Sequence, residues 1–331
     1  MKSTIYILVS LLFLSSLTIA QNTEEGMHPI VLKAKETSLY TERVNWQEVN
    51  SEFVSLIKDT TDLKQGLQYL INSLGDKHGM VRLAKDYSPV VWFTGGIEEQ
   101  DNRDPDFINT VINDVSVQFS YRWFGNEIGY LKLVAIGAGD VKDQADLIRA
   151  GLLELKGKGV NKWILDLRFN GGGNIEPMMA GLAPLVGSGF VGGAINNRGE
   201  IREYKIENGQ FFNYGRLVCE MDSLPEFSQI DKVVVLISRY TISSGEMVAV
   251  SFKGRKNTRF IGEETAGYTT GNGYDAITNE LMLVVSQDVF MDRNKAVYEN
   301  RVGVDEKIEF EHGVDLNSDS QVKRATEWLS K

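Results

Sequence analysis

Ser243 lies in the stretch Thr241-Ile242-Ser243-Ser244-Gly245-Glu246, between an apolar run at 233–237 and a predicted helix from Ser244. A serine at such a junction can point its hydroxyl away from a sheet while the first helical N–H groups face the same space. Those N–H groups have no partner inside the helix and lie at its positive end. That is what the oxyanion of a tetrahedral intermediate requires. The same residues also fit a plain helix start, with Ser243 or Thr241 as the cap and Glu246 completing a capping box.

A second stretch, Leu165-Asp166-Leu167-Arg168-Phe169-Asn170-Gly171-Gly172-Gly173-Asn174, reads as a buried strand running into three glycines before a helix. It offers main-chain N–H groups in a concave loop, or simply a tight turn. The dinucleotide spacing of glycines is absent. Of the three histidines, His28, His78 and His312, the second lies in Gly75-Asp76-Lys77-His78-Gly79, between a helical and a strand-like stretch. Loops of this kind carry functional side chains, and a histidine is the usual base for a serine nucleophile; a solvated loop histidine fits the local sequence equally. Three histidines without cysteine partners or an H-E-x-x-H pattern argue against a zinc centre.

The elements that would position these residues follow from periodicity. Residues 45–74 show two helical faces, Val49, Phe53, Leu56, Ile57 and then Leu63, Leu67, Leu70, Ile71, with a break expected at 59–62. Residues 21–40 read as an extended arm. Short apolar pieces at 90–93 and 115–117 suggest edge strands, separated by an acidic loop at 98–106 with a turn at Asp104-Pro105. From Gly129 the rhythm is strand (130–133), helix (141–155), strand (163–167), glycine turn, helix (175–186), then strand (233–237) and helix (244–253). Residues 201–214 suggest a hairpin, 259–261 and 281–286 further strands, and Asp319 the cap of a last helix ending near Leu329. Repeated crossover units of this kind imply an α/β core with helices outside.

Residues 1–20 read as a secretory signal peptide: Lys2, an apolar run over 5–17, then Thr18-Ile19-Ala20 before Gln21. The run falls short of the roughly 20 residues that span a bilayer, and no later segment is long and apolar enough to span one. Residues 21–82 are expected to form an N-terminal arm and helical subdomain, and 83–331 the catalytic α/β domain. The net charge of −10 has no basic tract, which argues against nucleic acid, whose phosphates need clustered Lys and Arg. The single cysteine, Cys219, allows no intrachain disulfide and reads as a small hydrophobe near a strand end.

The three stretches Asp166-Leu167-Arg168-Phe169-Asn170-Gly171-Gly172-Gly173, Thr241-Ile242-Ser243-Ser244-Gly245-Glu246 and Gly262-Glu263-Glu264-Thr265-Ala266-Gly267 resemble, in order and context, the successive signatures of the S41 (tail-specific, C-terminal processing) peptidases. The resemblance covers roughly 120–310 and implies a ClpP/crotonase-like α/β core. It selects Ser243, three residues before Glu246, as nucleophile, and Gly171 and Ser244 as main-chain donors of the oxyanion hole. The branch with a Ser–Lys dyad carries a lysine after the third signature. Tyr268 stands there, and 262–286 contains no lysine. Gly75-Asp76-Lys77-His78 instead resembles the histidine motif of the tricorn-core and retinoid-binding-protein-like branch, which makes His78 the base.

In that branch a glutamate sits in a stretch similar to Glu299-Asn300-Arg301-Val302-Gly303, so Glu299 is implied to orient His78. A serine just before the histidine is replaced by Lys77. The stretch between His78 and Tyr121 is too short for the PDZ-like domain usual in tail-specific enzymes. The resemblance implies a secreted or periplasmic serine peptidase acting on peptides or proteins without metal or organic cofactor. An esterase or amidase on small substrates, and a ligand-binding protein on the same fold, remain open alternatives.

Overall fold

The computed structural model describes residues 26–58, 63–94, 119–125, 127–222, 231–311 and 314–331. The leader at 1–20, the helix break at 59–62, the acidic loop at 98–106, the strand expected at 115–117 and His312 lie outside the described residues. The chain divides into two units, Met1–Asp101 with Gly271–Asp288, and Asn102–Thr270 with Val289–Lys331. The first of these units takes in the later segment 271–288.

In chain order the helices are α1 (Pro29–Thr37), α2 (Trp46–Lys58), α3 (Leu63–Leu74), α4 (Val141–Gly157), α5 (Ile175–Val186), α6 (Ser244–Phe252) and α7 (Ser320–Leu329). The strands are β1 (Met80–Leu83), β2 (Pro89–Trp92), β3 (Phe119–Gly125), β4 (Ile128–Leu133), β5 (Lys162–Asp166), β6 (Gly189–Asn196) and β7 (Ile201–Glu207). They continue as β8 (Gln210–Asn213), β9 (Arg216–Leu217), β10 (Lys232–Ile237), β11 (Thr258–Gly262), β12 (Thr270–Ala276), β13 (Leu281–Asp292) and β14 (Glu306–Lys307).

In the first unit α1, α2 and α3 pack on a small antiparallel sheet. β1 pairs with β2 on one side and with β13 on the other, in the register Met80↔Val284 to Leu83↔Leu281; β12 also pairs with β13. Alternate residues Leu281, Leu283 and Val285 turn inward with Val81 and Val91, against Phe53, Leu67, Leu70 and Ile71. The expected extended arm contains α1. Pro29 opens it at a position where a missing N–H costs nothing, His28 Nδ1 accepts from the Ile30 N–H at 3.4 Å, and Ile30, Val31 and Ala34 are buried. His28 is therefore a cap, its ring 4.9 Å from that of Phe53.

The second unit holds the six-stranded sheet β14-β11-β10-β5-β4-β3. β4, β5, β10, β11 and β14 are parallel, and only β3 runs antiparallel to its neighbour. Its central strands are apolar on both faces, as a sheet covered on both sides demands. Trp163, Leu165, Val233, Val235 and Ile237 face a core shared with α4, α5 and α6. The intervening Ile164, Val234 and Leu236 face Val322, Ala325 and Leu329 of α7. β6, β7, β8 and β9 form an antiparallel row that includes the expected hairpin. The α/β architecture with strand–helix crossovers is thus present. Among the described residues no helix is long and apolar enough to cross a membrane.

Candidate active site

In an open parallel sheet, ligands bind outside the carboxyl ends of the strands. Here the ends of β5 and β10 lead into the glycine turn and the Ser243 turn, and short polar bonds join the two. Thr241 Oγ1 donates to the Leu167 carbonyl at 2.8 Å, and Ser238 Oγ donates to the Arg168 carbonyl. Beyond them the Ile242 N–H donates to the Asn170 carbonyl at 2.8 Å, and Ser244 Oγ to the Gly173 carbonyl at 2.8 Å. Asn170, fully buried, turns its Oδ1 to the Gly172 N–H at 3.0 Å.

Glycine is needed where the turns touch. A Cβ on Gly172, whose φ is +93°, would lie 3.0 Å from the Ile242 carbonyl oxygen and 3.0 Å from Ser243 Cβ. One on Gly245 would lie 2.5 Å from the Asn170 carbonyl oxygen.

Ser243 occupies φ 54°, ψ −117° at the start of α6. A non-glycine residue in such a conformation costs on the order of 1–3 kcal/mol and is retained only where its surroundings hold it. The helix start alone would be served by an ordinary extended cap, so the strain argues for more than a cap. Beside it, the Gly171 and Ser244 N–H groups have no acceptor among the described residues, whereas the neighbouring Gly172 N–H is taken by Asn170. The Ser244 N–H is also a first-turn donor at the positive end of α6.

Glu246 faces inward, with no exposed surface. Its Oε2 accepts from the Ser243 N–H and the Tyr268 N–H, each at 2.8 Å, and its Oε1 from the Gly267 N–H at 2.8 Å. Burial pushes its acid up to about 7, against the pull of the Thr265 hydroxyl and these N–H donors. The loop holding Gly267 is fixed in turn. The Ala266 N–H donates to the Thr241 carbonyl at 3.0 Å, and Thr265 Oγ1 accepts from the Val302 N–H at 2.8 Å. Thr269 Oγ1 donates to the Asn300 carbonyl at 2.6 Å. The backbone around Glu299 is thereby tied down, while its own side chain is exposed and takes no hydrogen bond or ion pair among the described residues.

Asp166 and Arg168 serve the fold. Arg168 Nε and Nη2 grip both Asp166 oxygens at 2.9 and 2.6 Å, and its Nη1 reaches Asp319 Oδ2 at 2.5 Å. Asp319 Oδ1 caps α7 through the Gln321 and Val322 N–H groups at 2.9 and 3.1 Å. Burial opposes the Asp166 charge, but Arg168 outweighs it and holds the acid below its ordinary range.

His78 stands in the first unit, whereas Ser243, Ser244, Gly171 and Glu299 stand in the second. Its loop is set by Asp76, a residue whose role the sequence reading missed. The buried Asp76 carboxylate accepts from the His78 N–H at 3.0 Å, from the Ser286 N–H at 2.7 Å and from Ser286 Oγ at 2.8 Å. Burial pushes the Asp76 acid up, against those donors. His78 is only 7 % exposed, and burial lowers its imidazole to about 4. The enclosed loop thus favours the neutral ring. Lys77 between them is exposed.

The nisin-resistance protein of Lactococcus lactis subsp. lactis is 25 % identical over 299 residues, covering 89 % of this chain and 83 % of that protein. A lipoprotein from Streptococcus agalactiae superposes with a TM-score of 0.67 at 19 % identity, over 95 % of this chain and 99 % of that one. A candidate peptidase from Parabacteroides merdae superposes with a TM-score of 0.57 at 14 % identity, over 92 % and 98 %. These two share the fold. The family model of Peptidase family S41 matches residues 127–310, which include the glycine turn, the Ser243 turn and the Glu246-bound loop. The chain belongs to peptidase family S41.

Proposed function

We propose that the protein is a serine-type peptidase that hydrolyses peptide bonds through an acyl-enzyme on Ser243. The observation that carries the reading is the strained Ser243 turn beside two main-chain N–H groups, of Gly171 and Ser244, that have no acceptor among the described residues. His78, neutral because it is buried, takes the Ser243 proton as Oγ attacks the carbonyl carbon. The carbonyl oxygen, now negative, is held by the Gly171 and Ser244 N–H groups. His78 then hands its proton to the leaving amine as the C–N bond breaks, and water releases the acyl group by the same route. Glu299 is assigned to orient and charge-stabilise the imidazolium while it exists.

The substrate class is peptides or proteins, and the mature chain acts outside the cytoplasm, in the periplasm or as a secreted protein. The leader-like residues 1–20 support that location, and the likeness to a nisin-resistance protein makes nisin one peptide to test. Labelling with a serine-directed fluorophosphonate, followed by a peptide-library digest, tests the reading. Label that is lost in Ser243→Ala, together with cleaved peptide bonds, supports it. Label with ester hydrolysis but no peptide cleavage would make it an esterase, and absence of label would leave a binding protein.

A further inference from the structure

We propose that Glu246 is a positioning residue for this site: its buried carboxylate clamps the Ser243 turn to the 267–268 loop, and the reactivity of Ser243 depends on that clamp. The inference rests on the reading of Ser243 as nucleophile.

A capping box accounts for one of its bonds, the one from the Ser243 N–H. The bonds from Gly267 and Tyr268, 21 and 22 residues further along the chain, belong to no helix cap. A carboxylate has about four acceptor sites; here three main-chain N–H groups and the Thr265 hydroxyl take them up. A glutamine amide has the same shape, but its NH2 would meet an N–H donor head-on. The carboxylate form is therefore specifically matched to its surroundings.

The clamp acts on the atoms that matter for reaction. A serine at φ 54°, ψ −117° relaxes unless something holds it, and the bond from its own N–H fixes that φ. Ser244, the next residue, supplies one of the two N–H groups of this site that have no acceptor among the described residues. A relaxed Ser243 turn would move hydroxyl and donor apart together. The same carboxylate fixes the loop that carries Ala266, whose N–H returns to the Thr241 carbonyl at 3.0 Å. Glu246 thus closes a ring of main-chain bonds around the nucleophile without facing substrate itself.

The test compares Glu246→Gln and Glu246→Asp with the unaltered protein. The readouts are the limiting rate and half-saturating concentration of reaction with a fluorophosphonate probe, with thermal melting alongside. The clamp predicts reactivity in the order Glu, Asp, Gln. The Gln variant should lose about 100-fold in limiting rate, the scale set by a small misplacement of a reacting group, with the half-saturating concentration nearly unchanged. A space-filling role predicts the Gln variant faster than the Asp variant, because Gln keeps the volume and Asp does not; that result, or a wild-type rate in the Gln variant, overturns the proposal.

Should the Gln variant not fold, amide hydrogen exchange on the unaltered protein decides instead. The Ser243, Gly267 and Tyr268 amides should be protected together, and free exchange at them overturns the clamp. Ser243→Ala separates the two ideas. If it still takes the label, or if the unaltered protein takes none, the nucleophile reading fails, and amide exchange still judges the clamp on its own.

Discussion

The Ser244 hydroxyl donates to the Gly173 carbonyl at 2.8 Å, pinning the first residue of α6 to the glycine turn. This bond keeps the Ser244 N–H and the Gly171 N–H on facing segments. Ser244→Ala should therefore lower kcat by about 10-fold while costing only about 1 kcal/mol of stability, the ordinary net worth of one hydrogen bond. Kinetics and denaturant unfolding on the same sample check it. A stability loss without a kcat loss would make the bond purely structural.

Gly172→Ala places a methyl group 3.0 Å from Ser243 Cβ and 3.0 Å from the Ile242 carbonyl oxygen, at a φ of +93°. Both the close approach and the backbone conformation oppose it. We expect a loss of roughly 1–3 kcal/mol and of most activity, whereas Gly26→Ala meets nothing within 4 Å and tests the φ cost alone. Urea unfolding of the two variants distinguishes crowding from backbone strain.

Arg168→Met leaves Asp166 and Asp319 without their buried cation. Removing one partner of a buried pair costs about 3–5 kcal/mol. The melting temperature should fall sharply, and α7, capped by Asp319, should be the first segment to lose amide protection. An unchanged melting temperature would show that the pair is dispensable.

Two buried groups set opposite pH trends. His78 falls from 6.5 to about 4, so the folded state binds its proton less tightly than the unfolded chain. Stability gains from this group as pH rises from about 4 to 6.5. Glu246 rises from 4.5 to about 7, so its contribution is present below about 4.5 and is lost as pH rises through about 7. Glu246→Gln should therefore steepen the rise of stability with pH across this window. Activity follows a different sign, because the clamp needs the carboxylate: kcat/KM should climb through about 7. The groups set against Glu246 are the Thr265 hydroxyl and three N–H donors, with Arg301 donating to the Thr265 carbonyl at 3.2 Å. In the Gln variant the remaining acidic limb should lie near 4, where His78 takes up its proton. A limb that stays near 7 would contradict the assignment.

The parts of the fold that were legible in the sequence are those with local periodicity. The apolar runs of β5 and β10, the glycine turn and the Asp319 cap all lie where residue types place them, because burial on both faces and helix termini leave strong local marks. β6 (GFVGGAIN) and β12 (TGNGYDA) were missed, since glycine-rich segments have little strand preference and are made strands by their neighbours. The helix α1 was missed because nine residues are too few to establish a period. Contacts distant in sequence were illegible for another reason. Asp76 meets Ser286 across 210 residues, and Glu246 meets Gly267 and Tyr268 across a loop. The lowered imidazole of His78 likewise depends on burial, which no local pattern around Gly75-Asp76-Lys77-His78 announces.

The central claim is that Ser243 becomes covalently acylated with His78 as its base. The most direct measurement is the intact and peptide mass of the protein after reaction with a fluorophosphonate, for the unaltered chain, Ser243→Ala and His78→Ala. The account predicts one adduct, mapped to Ser243, absent from Ser243→Ala and formed at least about 100-fold more slowly in His78→Ala. An adduct on any other residue, or full-rate labelling in His78→Ala, would contradict it.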